Sequence, residues 1–116
     1  MPEAIRVTRG GTHVPLWGND GRSEKDKIVV HYRFLSFEEQ QTLLNPKDIG
    51  ESFAYQSRVL ARMIGKVENL AVVDEDGERK IETGEQLVSE PGLDELAYEL
   101  WLELRSKQAV DKKKLK

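Results

Sequence analysis

The chain has 116 residues, 38% hydrophobic and 34% charged, with a net charge of −3 at pH 7 and no cysteine. Those values fit one domain with a modest core. They exclude disulfides, thiolate zinc sites and cysteine nucleophiles. The stretch MPEAIRVTRGG lacks the apolar segment of a secretory signal, and no apolar run approaches the roughly 20 residues that span a bilayer. A soluble protein of a reducing cytoplasm is the expectation.

In chain order, residues 4 to 17 predict a hairpin. Ile5 and Val7 alternate with polar neighbours, Gly10-Gly11 offers a turn, and Val14 and Leu16 resume the alternation. Pro15 marks the second arm as an edge. The stretch GNDGRSEKDK, residues 18 to 27, has no large apolar side chain and predicts a mobile loop. IVVHYRFL, residues 28 to 35, is the clearest strand, with Ile28, Val30, Tyr32 and Phe34 on one face. Ser36 and Glu39 form a capping box that starts a helix over Phe37 to Leu44, and Asn45-Pro46 stops it.

A second helix is expected over Glu51 to Ile64, burying Phe53, Leu60 and Ile64 with Val59 and Met63 beside them, and Gly65 as its C-terminal cap. Leu70 to Val73 reads as a strand, DEDG as a turn, and Lys80-Ile81 as the return strand. Thr83 caps a short helix, with Gln86 at the capping-box position. Pro91-Gly92 breaks the chain. The final helix carries Leu93, Leu96, Ala97, Leu100, Trp101 and Leu104 at i, i+3, i+4, i+7, i+8 and i+11. After Ser106 there is little to bury, so the end of the chain should fray. The segment from Arg105 to Lys116 holds six basic residues and one acid, a net +5, which leaves −8 on the remainder. An acidic body with a basic tail is not the footprint of a dedicated nucleic-acid binder.

Each candidate for chemistry meets a plainer alternative. Asp74, Glu75 and Asp76 have the oxygens that suit Ca²⁺ or Mg²⁺. With Asp74 as position one, however, Gly77 falls at four and Gln86 at thirteen, so the EF-hand spacing fails and a β-turn is favoured. His13 and His31 lack two further ligands at zinc spacing. Glu38 and Glu39 are adjacent on a helix and point apart, so they do not form an acid–base dyad. There is no G-x-S-x-G elbow, Walker A run or G-x-G-x-x-G motif. Catalytic residues, cofactors and metals are therefore not expected.

Arg58 and Arg62, one turn apart, suit either a solvated helix face or an acidic partner. The Lys112–Lys114 run suits a solubilising tail, with weak phosphate contact as the alternative. Trp101 belongs to the apolar stripe. Tyr98 and Leu102 lie off it and widen the apolar surface, so they face either simple burial or a partner.

The successive segments IVVHYRFLSFEEQQTLL and VENLAVVDEDGERKIETGEQLVSEPGLDELAYELWLEL resemble the tail assembly chaperones of long-tailed phages and prophages. The pieces are an S-x-x-E helix start, an NL-x-V-x-D-x-DG hairpin, TGEQL and PGLDEL, spread over residues 28 to 105. The resemblance implies a non-enzymatic protein of the host-cell cytoplasm, without cofactor, that binds tail proteins such as the tape-measure protein and helps recruit tail tube subunits. Family members can be largely helical.

The expected fold is α+β, a single domain in which a short antiparallel sheet or hairpins pack with three to four helices. Residues 1–27 are expected as an N-terminal hairpin and mobile loop, 28–106 as the folded core, and 107–116 as a basic flexible tail. Tyr98, Leu102, Arg58 and Arg62 are the expected partner contacts, with self-association as a further option. The rival functions are a structural tail or head-tail connector subunit of the virion and a small DNA-binding regulator. Neither a membrane nor, on charge, a nucleic acid is an expected partner.

Overall fold

The computed structural model describes residues 9–43 and 53–114, with side chains as far as residue 107. It is an α+β globule with two small antiparallel sheets and four α-helices among these residues. Strands β1 (Gly10–His13), β2 (Val29–Arg33) and β3 (Ile64–Glu68) form one sheet in the order β1-β2-β3. Strands β4 (Ala71–Asp74) and β5 (Gly77–Lys80) form the other. The helices are α1 (Phe37–Leu43), α2 (Phe53–Met63), α3 (Gly84–Ser89) and α4 (Asp94–Lys114).

The core follows the apolar patterning closely. Ile28 and Val30 of the second-strand segment, Val59, Leu60 and Met63 of α2, Ile64 and Val67 of β3, and Leu87 of α3 are buried together. Leu93, Leu96, Leu100, Trp101 and Leu104 join them along the α4 stripe. Each such side chain contributes about 1.5–3 kcal/mol when fully removed from water. Both expected capping boxes form. Ser36 Oγ accepts the Glu39 N–H at 3.0 Å while Glu39 accepts the Ser36 N–H at 3.1 Å. Thr83 and Gln86 do the same at the start of α3.

Four local expectations are corrected. Gly10-Gly11 is not a turn. It lies in β1, opposite Arg33 and Tyr32 of β2. A Cβ on Gly10 would sit 2.2 Å from the Tyr32 carbonyl oxygen, so a close backbone approach selects the glycine. The expected outer arm at Ile5 and Val7, like the Asn45-Pro46 stop, lies outside the described residues.

Gly65 does not cap α2. The chain passes from Met63 directly into β3, where His31 faces Lys66 and Tyr32 faces Ile64. Gly65 is thus the extra residue of a β-bulge. The loop before β2 is tied down, not mobile. The buried Asn19 side chain donates to the Pro15 and Ile28 carbonyls at 2.7 and 3.1 Å and accepts the Ile28 N–H at 2.7 Å. Glu24–Asp26 adds a single 3-10 turn. Finally, Phe53 opens α2 but is 82% exposed, not part of the buried stripe. The backbone of α4 continues as helix through Lys114, beyond the last stripe residue.

Gly84, inside the TGEQL segment, has a packing role. A Cβ there would lie 2.6 Å from the Ile64 carbonyl oxygen and 3.0 Å from that of Leu60. Helix α3 therefore starts directly against the junction of α2 and β3, and Leu87 one turn later fills the core.

Candidate functional site

The first turns of α2 and α4, with α3 between them, leave an apolar groove of about 310 Å³. Phe53, Leu60, Val88, Ala97 and Tyr98 supply most of its wall, and Gln56, Ser57 and Asp94 supply the polar atoms. Positions 53, 56, 57 and 60 recur at i, i+3, i+4 and i+7, so one stripe of α2 faces the groove. Tyr98 is 54% exposed, and Leu102, one turn further along the same face of α4, is 50% exposed. Phe53, 82% exposed, stands with Tyr98 on the groove wall, and Leu102 lies outside it.

Trp101 lies on the packed stripe of α4. It is buried, with its ring edge-on to Tyr55 at 6.1 Å between centroids and the Arg105 guanidinium 4.8 Å over it. Such aromatic pairs add about 0.5–1.5 kcal/mol beyond area. Arg105, the first base of the expected basic segment, is thereby part of the fold.

The expected contact residues divide. Tyr98 and Leu102 are exposed on one face, a choice between burial and exposure that the spacing left open. Arg58 and Arg62 are on the far side of α2 from the groove. Arg58 Nε donates to the Leu43 carbonyl at 2.7 Å and so caps the C-terminus of α1. Arg62 is exposed and lines a shallow cleft with Glu39, Thr42 and Leu43. The four residues do not form one surface. Phe53 is the groove residue that the sequence did not reveal. Its place at the helix start, before the packed turns, was the available signal.

The polar clusters are used structurally. Asp74 accepts the Asp76 N–H at 2.9 Å and the Arg79 guanidinium at 2.6 Å, and Arg79 reaches on to Glu90 at 3.0 Å. Those bonds, Arg79 first, hold the Asp74 carboxyl below its usual range. DEDG is a two-residue turn at Glu75-Asp76, followed by Gly77 at φ 117°. Among the described residues no three His, Asp or Glu side chains come together as a metal site. Glu39 is held down to about 2 by its paired bonds from Arg33 and by the Ser36 amide.

His31 bonds to Glu68 across β2 and β3. The Glu99 carboxylate on α4 accepts the Leu16 and Trp17 amides at 2.7 and 3.0 Å and so fastens the N-terminal segment to the helix. His13 lies 4.0 Å from Glu99, with its Nε2 buried and unbonded. Burial, and then the Lys107 charge, pushes the His13 pKa down.

A second cavity, about 620 Å³, lies between the loop at Trp17–Arg22, β3 and the β4–β5 hairpin. Its charges are Arg22, Lys66 and Lys80 against Glu68, Glu78 and Glu82. They cancel and select no ionic ligand. The apolar groove at Phe53 and Tyr98 is the stronger candidate, because excess apolar surface is what a protein partner reads.

Comparisons with protein-family models, with curated proteins and with solved structures give no match. Among the described residues no helix is long and apolar enough to cross a membrane.

Proposed function

We propose that this chain is a non-enzymatic binding protein that receives an apolar segment of a partner on the α2–α4 groove. The supporting observation is the apolar cleft walled by exposed Phe53 and Tyr98, with exposed Leu102 one turn of α4 beyond it. The resemblance of residues 28 to 105 to phage tail assembly chaperones names the partner class: a tail protein, with the tape-measure protein first. The proposed setting is the host-cell cytoplasm.

The mechanism is coverage. A tail protein with long apolar helices aggregates before its shell assembles. A groove with Phe53 and Tyr98 on its walls hides an apolar stripe by helix-in-groove docking. The net −8 on residues 1–104 keeps such a complex in solution. The contact should be modest in affinity and reversible, because the bound segment must be handed on to the growing tail.

Co-expression with a tape-measure protein tests the reading. Wild-type protein should hold the tape-measure protein in the soluble fraction and co-purify with it. Leu102→Glu and Tyr98→Asp, which place a charge on the exposed face, should lose the complex while keeping the circular dichroism spectrum. Retention of the complex by both variants would reject the groove. Mass spectrometry of finished particles separates a chaperone, absent from them, from a structural tail subunit, present in stoichiometric amount.

A further inference from the structure

The core takes up one side of α4, where Leu93, Leu96, Leu100, Trp101 and Leu104 are buried. The outer side carries Glu95, Tyr98, Leu102 and Arg105, all four exposed. Their spacing is three, four and three residues, so they fall in one seam on the helix surface. That step is the one along which two helices pack side by side. From Glu95 to Arg105 the seam runs about 15 Å, at 1.5 Å per residue.

Charge is divided along the same helix. Asp94 to Glu103 holds four acids and no base, and Arg105 to Lys114 holds five bases and one acid. The helix dipole favours that order of signs only at the first and last turns, whereas the division continues through the middle. A two-fold contact requires a surface that complements itself. The outer seam does so. From either end it runs charge, apolar, apolar, charge, with opposite signs at its two ends.

We propose that α4 pairs antiparallel with α4 of a second copy of this chain, about a two-fold axis level with Leu100. In that register Tyr98 meets Leu102 of the second copy and Glu95 meets Arg105, and each pair occurs twice. Four apolar side chains make the centre, and two ion pairs close its ends. A parallel pair would set Glu95 against Glu95 and Arg105 against Arg105, so charge selects the antiparallel form.

Both charged ends of the seam suit this contact. Among the described residues Glu95 forms no ion pair within its own chain. The Arg105 guanidinium lies 4.8 Å over the Trp101 ring. A guanidinium stacked by its face still directs N–H donors from its edge toward a carboxylate. The Glu99 clasp sets Leu16 beside the middle of the seam, with the Leu16 amide 2.7 Å from the carboxylate and its side chain exposed. The apolar area near the axis is therefore wider than the seam itself. The pairing shares Tyr98 with the groove, so a self-paired chain and a partner-bound chain exclude each other at that side chain. Neither Glu95 nor Arg105 lines the groove, so variants at these two positions read the pairing and not the partner.

Sedimentation of the full chain over a wide concentration range tests the proposal, beside Glu95→Arg and Arg105→Glu. Wild type should show a reversible monomer–dimer equilibrium that weakens as salt rises. Each variant alone sets like charges against each other twice and should raise the dissociation constant roughly tenfold or more, with unchanged circular dichroism. An equimolar mixture of the two variants should dimerise again, because the two substitutions then meet as opposite charges. If Arg105→Glu unsettles the Trp101 packing, Glu95→Arg against Glu95→Gln carries the comparison, with the larger loss expected from the charge reversal. A chain that stays monomeric throughout overturns the proposal. So does a dimer indifferent to Glu95→Arg, or a mixture of the two folded variants that associates no better than either alone.

Discussion

Asn19 and Ile28 exchange two hydrogen bonds as though they were partners in a sheet. The Asn19 side-chain oxygen accepts the Ile28 N–H at 2.7 Å, and its amide nitrogen donates to the Ile28 carbonyl at 3.1 Å. The same nitrogen donates to the Pro15 carbonyl. A side-chain amide thus replaces a strand at the buried entrance to β2, and it connects the N-terminal segment to the core.

Asn19→Ala should lower unfolding stability by about 3 kcal/mol, since it leaves buried backbone groups of Ile28 and Pro15 without partners. Asn19→Asp keeps the acceptor but sets a buried carboxyl oxygen against the Pro15 and Ile28 carbonyls, so it should cost at least as much as Asn19→Ala. Urea denaturation followed by tryptophan fluorescence measures both. Equal stability of Asn19→Ala and wild type would show that the loop is not fastened this way.

Gly84 gives the second prediction. Its missing side chain lets α3 lie against the Ile64 carbonyl at a distance no Cβ tolerates. Gly84→Ala should cost about 1–3 kcal/mol through forced displacement. Gly65→Ala meets open space on the bulge and should change stability by less than about 1 kcal/mol. Reversed ranking in thermal melts would contradict the packing at the α2–β3 junction.

Acid should destabilise the fold in two windows. The folded His13 pKa lies below its ordinary 6.5 because burial disfavours the cation. The unfolded chain then binds more protons, and stability falls as pH drops below 6.5. Glu39 lies at about 2 in the fold against an ordinary 4.5. Its contribution is present above 4.5 and is lost as pH falls toward 2. His13→Gln should flatten the first slope and Glu39→Gln the second, in denaturation midpoints measured from pH 7 to 2. Equal slopes in wild type and variant would remove that residue from the account.

Arg58 and Arg62 should separate by assay. Arg58→Ala removes a bond to the last carbonyl of α1 and should cost about 1–2 kcal/mol in stability. Arg62→Ala, at an exposed position, should stay within about 0.5 kcal/mol. Neither should change binding of a tape-measure segment to the groove, because both lie on the opposite side of α2. A loss of binding in Arg62→Ala with normal stability would move the contact surface.

Much of this molecule was present in its one-dimensional pattern. The alternation of Ile28 and Val30, the α4 stripe from Leu93 to Leu104, both capping boxes and the DEDG turn depend on neighbours within a few residues. Short-range spacing fixes such features whatever the rest of the chain does. Spacing also put Tyr98 and Leu102 off the α4 stripe but left burial and exposure open, and the packing around α4 decided for exposure. What tertiary structure decided has contacts far along the chain. Gly10-Gly11 joined a strand because β2 approaches it, and Gly65 became a bulge because β3 had to pair with β2 straight after α2. Asn19 is a core residue because Ile28 needs its amide. Glu99 is a clasp because Leu16 and Trp17 arrive beside it, and Phe53 is a groove wall because α3 and α4 stop short of covering it. A short polar side chain or a glycine carries no periodic signal of its own. Only the partner that reaches it from elsewhere in the fold determines its role.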